Sequence, residues 1–80
     1  MSREEVQDQL AQILVRQLGI DAEQVKPEAS LAEDLKADSL DFVELIMELE
    51  DEFGVKISDE DALGIKTVGQ AVDYVMKNAS

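Results

Sequence analysis

The sequence predicts an all-α fold: a small four-helix bundle of three longer helices and one short helix, with a long loop between the first and second helices. Apolar residues recur at close to 3.6-residue spacing in separate stretches. Those stretches are bracketed by residues that start and stop helices. Val55 to Ile57, the best strand candidate, is too short and isolated to build a sheet.

The first helix, about residues 3–18, places Val6, Leu10, Ile13, Leu14 and Leu18 on one face; Ser2 with Glu5 opens it as a capping box and Gly19 ends it. From Ile20 to about Ala37 the period lapses around Pro27. So long a segment is expected to pack through Ile20, Val25, Leu31 and Leu35, with Ser30 and Glu33 capping a short turn. The second helix, about residues 39–53, has Asp38 as its N-cap and Asp41 three residues on, both favoured at the positive end of the helix dipole, and stops at Gly54. Ser58 with Asp61 starts a short third helix, about 59–64, that Gly64 stops. Thr67 caps the last, about 67–77, which carries Val68, Ala71, Val72 and Val75. One domain over residues 1–80 is expected, because a chain this short buries only about 60–65% of its unfolded surface around a single core.

Nineteen acidic side chains stand against seven basic ones, a formal net charge of -12, and Cys, His and Trp are absent. Without Cys or His there is no disulfide framework, no thiol nucleophile, no structural zinc site and no catalytic triad. So acidic a chain repels phosphate backbones and anionic lipid, which argues against nucleic acid and stable membrane insertion and for a basic protein surface as partner. The start, Met1-Ser2-Arg3-Glu4-Glu5, has no apolar signal region behind it. A cytoplasmic monomer is the expectation.

On the second helix, at about 100° per residue, Phe42, Leu45, Ile46, Leu49 and Phe53 share the core sector. Leu40, Val43 and Met47 form a narrower stripe on the opposite side, rimmed by Asp41, Glu44, Glu48, Glu50 and Asp51. Single exposed apolar residues are ordinary. A stripe of three inside a rim of one sign is built like a transient docking surface. From Glu33 to Asp61 there are twelve acids and two bases, Lys36 and Lys56, so this window holds -10 of the total charge. Its focus is Ser39, in Asp38-Ser39-Leu40-Asp41 at the helix start. An Asp-Ser pair there is ordinarily a cap, but the free N–H groups and dipole also accommodate a phosphoryl or phosphodiester group.

Asp34-Leu35-Lys36-Ala37-Asp38-Ser39-Leu40-Asp41, followed by Val43-Glu44-Leu45 and Glu48-Leu49-Glu50-Asp51-Glu52-Phe53-Gly54, closely resembles the acyl carrier proteins. The likeness continues through Ile57-Ser58-Asp59-Glu60 and Thr67-Val68 to Ala71-Val72-Asp73-Tyr74-Val75. It implies that Ser39 receives a 4'-phosphopantetheine arm from coenzyme A through a phosphopantetheinyl transferase, and that acyl chains ride on the arm's thiol as thioesters. The chain would then be a carrier and not an enzyme. The resemblance also implies docking through Asp38, Leu40, Asp41, Val43, Glu44, Met47 and Glu48 onto basic patches of acyltransferases, ketosynthases, reductases and dehydratases. An acyl pocket is implied among core residues such as Leu45, Ile46, Leu49, Ile65 and Val72. The acidic second helix and one-domain length are nearer to freestanding type II fatty-acid carriers than to a discrete carrier of a polyketide or other specialised pathway.

Lys36 stands where the family generally has glycine, so the loop is expected not to need a positive φ there and a cation is placed near the phosphate. Phe42 replaces a small or polar residue, and Gly64 interrupts a stretch that is often charged. Two other readings fail on the residues. As an EF-hand loop, Asp59, Asp61 and Gly64 fit, but Leu63 falls where an oxygen ligand is required and Gln70 where a bidentate Glu is, and no metal site is expected. As an enzyme using Ser39 with Lys36 as base, the chain offers an exposed lysine with nothing to lower its pKa.

Overall fold

Side-chain oxygens meet free backbone N–H groups at the start of every helix among the described residues, 2–78, of the computed structural model. In chain order α1 is Arg3–Leu18, α2 Ser39–Phe53, α3 Asp59–Leu63 and α4 Val68–Asn78, with a 3-10 turn, Ala22–Gln24, in the loop after α1. The expected domain limits, residues 1 and 80, lie outside the described residues.

The caps are reciprocal at three of the four starts. Glu5 N–H donates to Ser2 Oγ and Ser2 N–H to Glu5 Oε1, both at 3.2 Å. The Ser2 N–H and then its hydroxyl hold the Glu5 carboxyl below its ordinary value. Asp41 N–H donates to Asp38 Oδ1 at 2.8 Å and Asp38 N–H to Asp41 Oδ2 at 3.4 Å. Gln70 N–H donates to Thr67 Oγ1 at 3.1 Å and Thr67 N–H to Gln70 Oε1 at 3.0 Å. The short α3 has the single bond from Asp61 N–H to Ser58 Oγ, 3.1 Å. Gly19 (φ 69°) and Gly54 (φ 64°) close α1 and α2 in the left-handed region, where a Cβ is costly. Gly64 ends α3 differently, at φ -84°, a conformation open to any residue.

Helix α1 packs against both α2 and α4. Leu10 of α1, Leu49 of α2 and Val68, Ala71, Val72 and Val75 of α4 are fully shielded from solvent. No polar or charged residue is buried among the described residues. The core is therefore held by apolar burial, at roughly 25 cal/mol per Å² removed from water.

The long loop is part of this core: Val25, Ala29, Leu31 and Leu35 are buried and Ile20 is partly so. Backbone bonds strap it to the α3–α4 connection, from Leu31 N–H to Lys66 O (2.9 Å) and from Val68 N–H to Ala29 O (3.1 Å), around an isolated antiparallel bridge between Ser30 and Thr67. Next to the strap Gly69 N–H meets Pro27 O at 2.8 Å, and a Cβ at 69 would stand 2.9 Å from that oxygen, so only glycine allows the approach.

Lys36 departs from the expectation: its φ is +59°, in the left-handed region. On either side of it, Leu35 N–H bonds Ser30 O (3.0 Å) and Ala37 N–H bonds Leu31 O (2.9 Å). These bonds turn the chain back toward the start of α2, and the reversal sets the backbone of Lys36 whatever its side chain. The cost of such a φ in a residue with a Cβ is about 1 kcal/mol.

Candidate functional site

The end of the loop and the first turn of α2 bring Ser39 to the surface, one residue after the Asp38 cap. Asp38 serves Asp41 N–H, and Phe42 N–H donates to Asp38 O at 2.9 Å. The N–H groups of Ser39 and Leu40, at the helix start, have no acceptor within the helix. Beside Ser39 opens a cleft of about 530 Å³, walled largely by Leu31, Ala32, Ala37, Phe42, Val43 and Ile65, with Ser30, Glu33, Asp38 and Lys66 at its polar margins. The loop strap thus forms one wall of the cleft and α2 the other.

A second groove, of about 410 Å³, runs between α2 and α3, lined by Phe42, Val43, Ile46, Met47, Ile57, Ala62 and Leu63. Phe42 and Val43 border both hollows, so an apolar surface runs from Ser39 along α2. The stripe read from periodicity stands outward, with Leu40 69%, Val43 53% and Met47 58% exposed. Leu63, 75% exposed across the groove, extends it and was not singled out in the sequence. A five-residue helix can turn only one of the adjacent Ala62 and Leu63 inward, and Ala62 is the half-buried one.

The acids around the stripe differ in their surroundings. Asp38 and Glu44 are exposed, Asp41 and Glu48 half-buried. Two α1 residues that sequence patterning passed over reach this rim: Arg16 Nη2 lies 3.4 Å from Glu48 Oε2, and Gln17 Nε2 lies 3.4 Å from Glu44 Oε2 while donating to Asp41 O at 2.8 Å. Gln17 Oε1 is buried there without a hydrogen-bond partner, which offsets part of what the Nε2 bonds contribute. Glu50 turns away, accepting from Ile57 N–H at 3.0 Å.

The proposed acyl-pocket residues separate. Leu45, Leu49 and Val72 are packed in the core, whereas Ile65 lines the cleft beside Ser39 and Ile46 the α2–α3 groove. Tyr74 of α4 steadies the α3 wall: its hydroxyl lies 2.8 Å from Lys56 O and 2.9 Å from Asp61 Oδ2, one proton between two acceptors. Partial burial first, and then the bond to Asp61 and the negative charges of Asp61 and Glu50, raise its pKa above the ordinary phenol value. Among the described residues no helix is long and apolar enough to cross a membrane.

Ser39 thus stands at a helix start, beside an apolar cleft and an acidic face. Residues 8–75 match the family model of the phosphopantetheine attachment site. The chain is 53% identical over 77 residues to the acyl carrier protein of Chlorobium phaeovibrioides, covering 96% of this chain and 99% of that one. It is 55% identical over 78 residues to the acyl carrier protein of Rubrobacter xylanophilus, covering 98% and 96%. A solved structure of the acyl carrier protein from Enterococcus faecalis superposes with a TM-score of 0.84 at 50% identity, over 98% of this chain and 99% of that one. The chain belongs to the acyl carrier proteins, in the family that bears the phosphopantetheine attachment site.

The geometry suits that prosthetic group. It needs an accessible oxygen to bond its phosphate, donors or cations near the resulting anion, and room for a flexible arm. An exposed hydroxyl at a helix start, Lys66 at the cleft margin and an adjoining apolar hollow meet those needs.

Proposed function

We propose that the chain carries acyl intermediates as thioesters on a 4'-phosphopantetheine arm bonded to Ser39 Oγ, and that it presents them to the enzymes of fatty-acid biosynthesis as a cytoplasmic monomer without catalytic activity of its own. The observation that carries this reading is the exposed Ser39 hydroxyl, on the first turn of α2 at the mouth of the apolar cleft. When bound, the arm supplies the thiol that this cysteine-free chain lacks.

The chain's own residues have three tasks. Asp38 and Asp41 cap α2 and hold Ser39 Oγ outward, where a phosphopantetheinyl transferase joins it to the pantetheine phosphate of coenzyme A, releases the adenosine bisphosphate remainder and takes up the hydroxyl proton. The helix-start N–H groups and Lys66 favour the anion that results. Leu40, Val43, Met47 and Leu63 supply contact area within the acidic rim, against basic patches of acyltransferases, ketosynthases, reductases and dehydratases. Intact-mass measurement after incubation with a transferase and coenzyme A tests the assignment: wild type gains one adduct and Ser39→Ala none, whereas an adduct on the variant sinks it.

A further inference from the structure

Arg16 stands at the α1 edge of the acidic face, in a shallow groove with Ile13, Gln17, Glu44, Met47 and Glu48. Its contact with Glu48 is a single Nη2 to Oε2 approach of 3.4 Å, with the two side chains 67% and 46% exposed. A guanidinium offers five donors and reaches a carboxylate best through two parallel bonds. One long contact in water is easily given up. An incoming lysine or arginine at Glu48 must nevertheless displace this guanidinium or approach beside its like charge. Of the four acids expected at the docking rim, Glu48 alone is shown here paired with a cation: Asp38 and Asp41 serve the cap, and Glu44 has the neutral Gln17.

We propose that Arg16 is a specificity-determining residue of the docking face, an intramolecular competitor that occupies Glu48 and disfavours partners whose basic patch relies on the α1 side of α2. This rests on the reading of the acidic α2 face as the docking surface. Partners that engage Asp38 and Glu44 near the start of α2 are spared the competition. Partners that reach toward Glu48 meet it in full.

The test is stopped-flow association at about 0.1 M salt with a purified phosphopantetheinyl transferase and a purified ketosynthase, read on whichever of the two Glu48→Gln slows more, comparing wild type, Arg16→Gln, Glu48→Gln, the double variant and Arg3→Gln. Arg3 pairs with Asp73 and lies thirteen residues back along α1, about 20 Å, well beyond the screening length, so it removes the same charge far from the face. Competition at Glu48 predicts association about two- to five-fold faster for Arg16→Gln, the factor an exposed ion pair is worth. The gain should be absent when Glu48 is already Gln, and Arg3→Gln should remain near wild type. An Arg16→Gln rate no faster than that of Arg3→Gln, or a gain that persists in the Glu48→Gln background, overturns the inference while leaving the docking face intact. Wild-type association that is indifferent both to salt and to Glu48→Gln overturns the docking reading, and this inference with it.

Discussion

Tyr74 Oη lies 2.9 Å from Asp61 Oδ2, a bond that joins α4 to the one short helix of the fold. With Lys56 O on its other side, the hydroxyl holds both the approach to α3 and α3 itself against the bundle. Since α3 is the far wall of the α2–α3 groove, this bond ties that wall to α4.

Replacing Tyr74 with Phe should therefore lower the melting temperature and raise amide exchange in Asp59–Leu63 more than in α1. Tyr74 is the only tyrosine and there is no Trp, so ultraviolet absorbance follows this phenol alone. Its titration should lie above the ordinary phenol value. A raised folded-state pKa means that the contribution to stability is complete below the unfolded value of 10.0 and is lost as pH rises through the folded one. A midpoint at or below the ordinary value would contradict the geometry.

Lys36 makes a second case. Its φ of +59° predicts that Lys36→Gly stabilises the protein relative to Lys36→Ala, by about 1 kcal/mol. Both variants remove the charge, and only one relieves the backbone. Denaturant midpoints would measure the difference, and an alanine variant as stable as the glycine one would contradict it.

Leu63 separates docking from folding. Because the side chain is 75% exposed, Leu63→Ser should change stability by less than about 0.5 kcal/mol, yet weaken association with partner enzymes. Charge reversal at Glu44 should instead slow association and flatten its dependence on salt. Unaltered rates in both variants would remove the face from the account.

The crowding of acids predicts a salt-dependent fold. The twelve acids between Glu33 and Asp61, offset by only two bases, repel one another across a small core, so added salt should raise the melting temperature. A melting temperature indifferent to ionic strength would contradict this.

Local signals made the helices legible. Ser2, Asp38, Ser58 and Thr67 cap them as their spacing with Glu5, Asp41, Asp61 and Gln70 allows, and the outward stripe of Leu40, Val43 and Met47 follows from helical periodicity alone. What was not legible depends on contacts between distant segments. The left-handed Lys36 follows from bonds to Ser30 and Leu31, the cleft from a loop strapped to Lys66, and the reach of Arg16 and Gln17 from the packing of α1 on α2. Leu63 had a local signal, two adjacent apolar residues on a helix too short to bury both. The resemblance implies an acyl pocket among Leu45, Ile46, Leu49, Ile65 and Val72; that Ile65 and Ile46 line open hollows while Leu45, Leu49 and Val72 are packed in the core depends on contacts between helices and not on hydropathy.

The central claim is that one serine at the start of α2 receives the arm. The most direct measurement is the intact mass of wild type and Ser39→Ala after incubation with coenzyme A and a phosphopantetheinyl transferase. A single adduct on wild type and none on the variant is the predicted result; a full adduct on Ser39→Ala would contradict it.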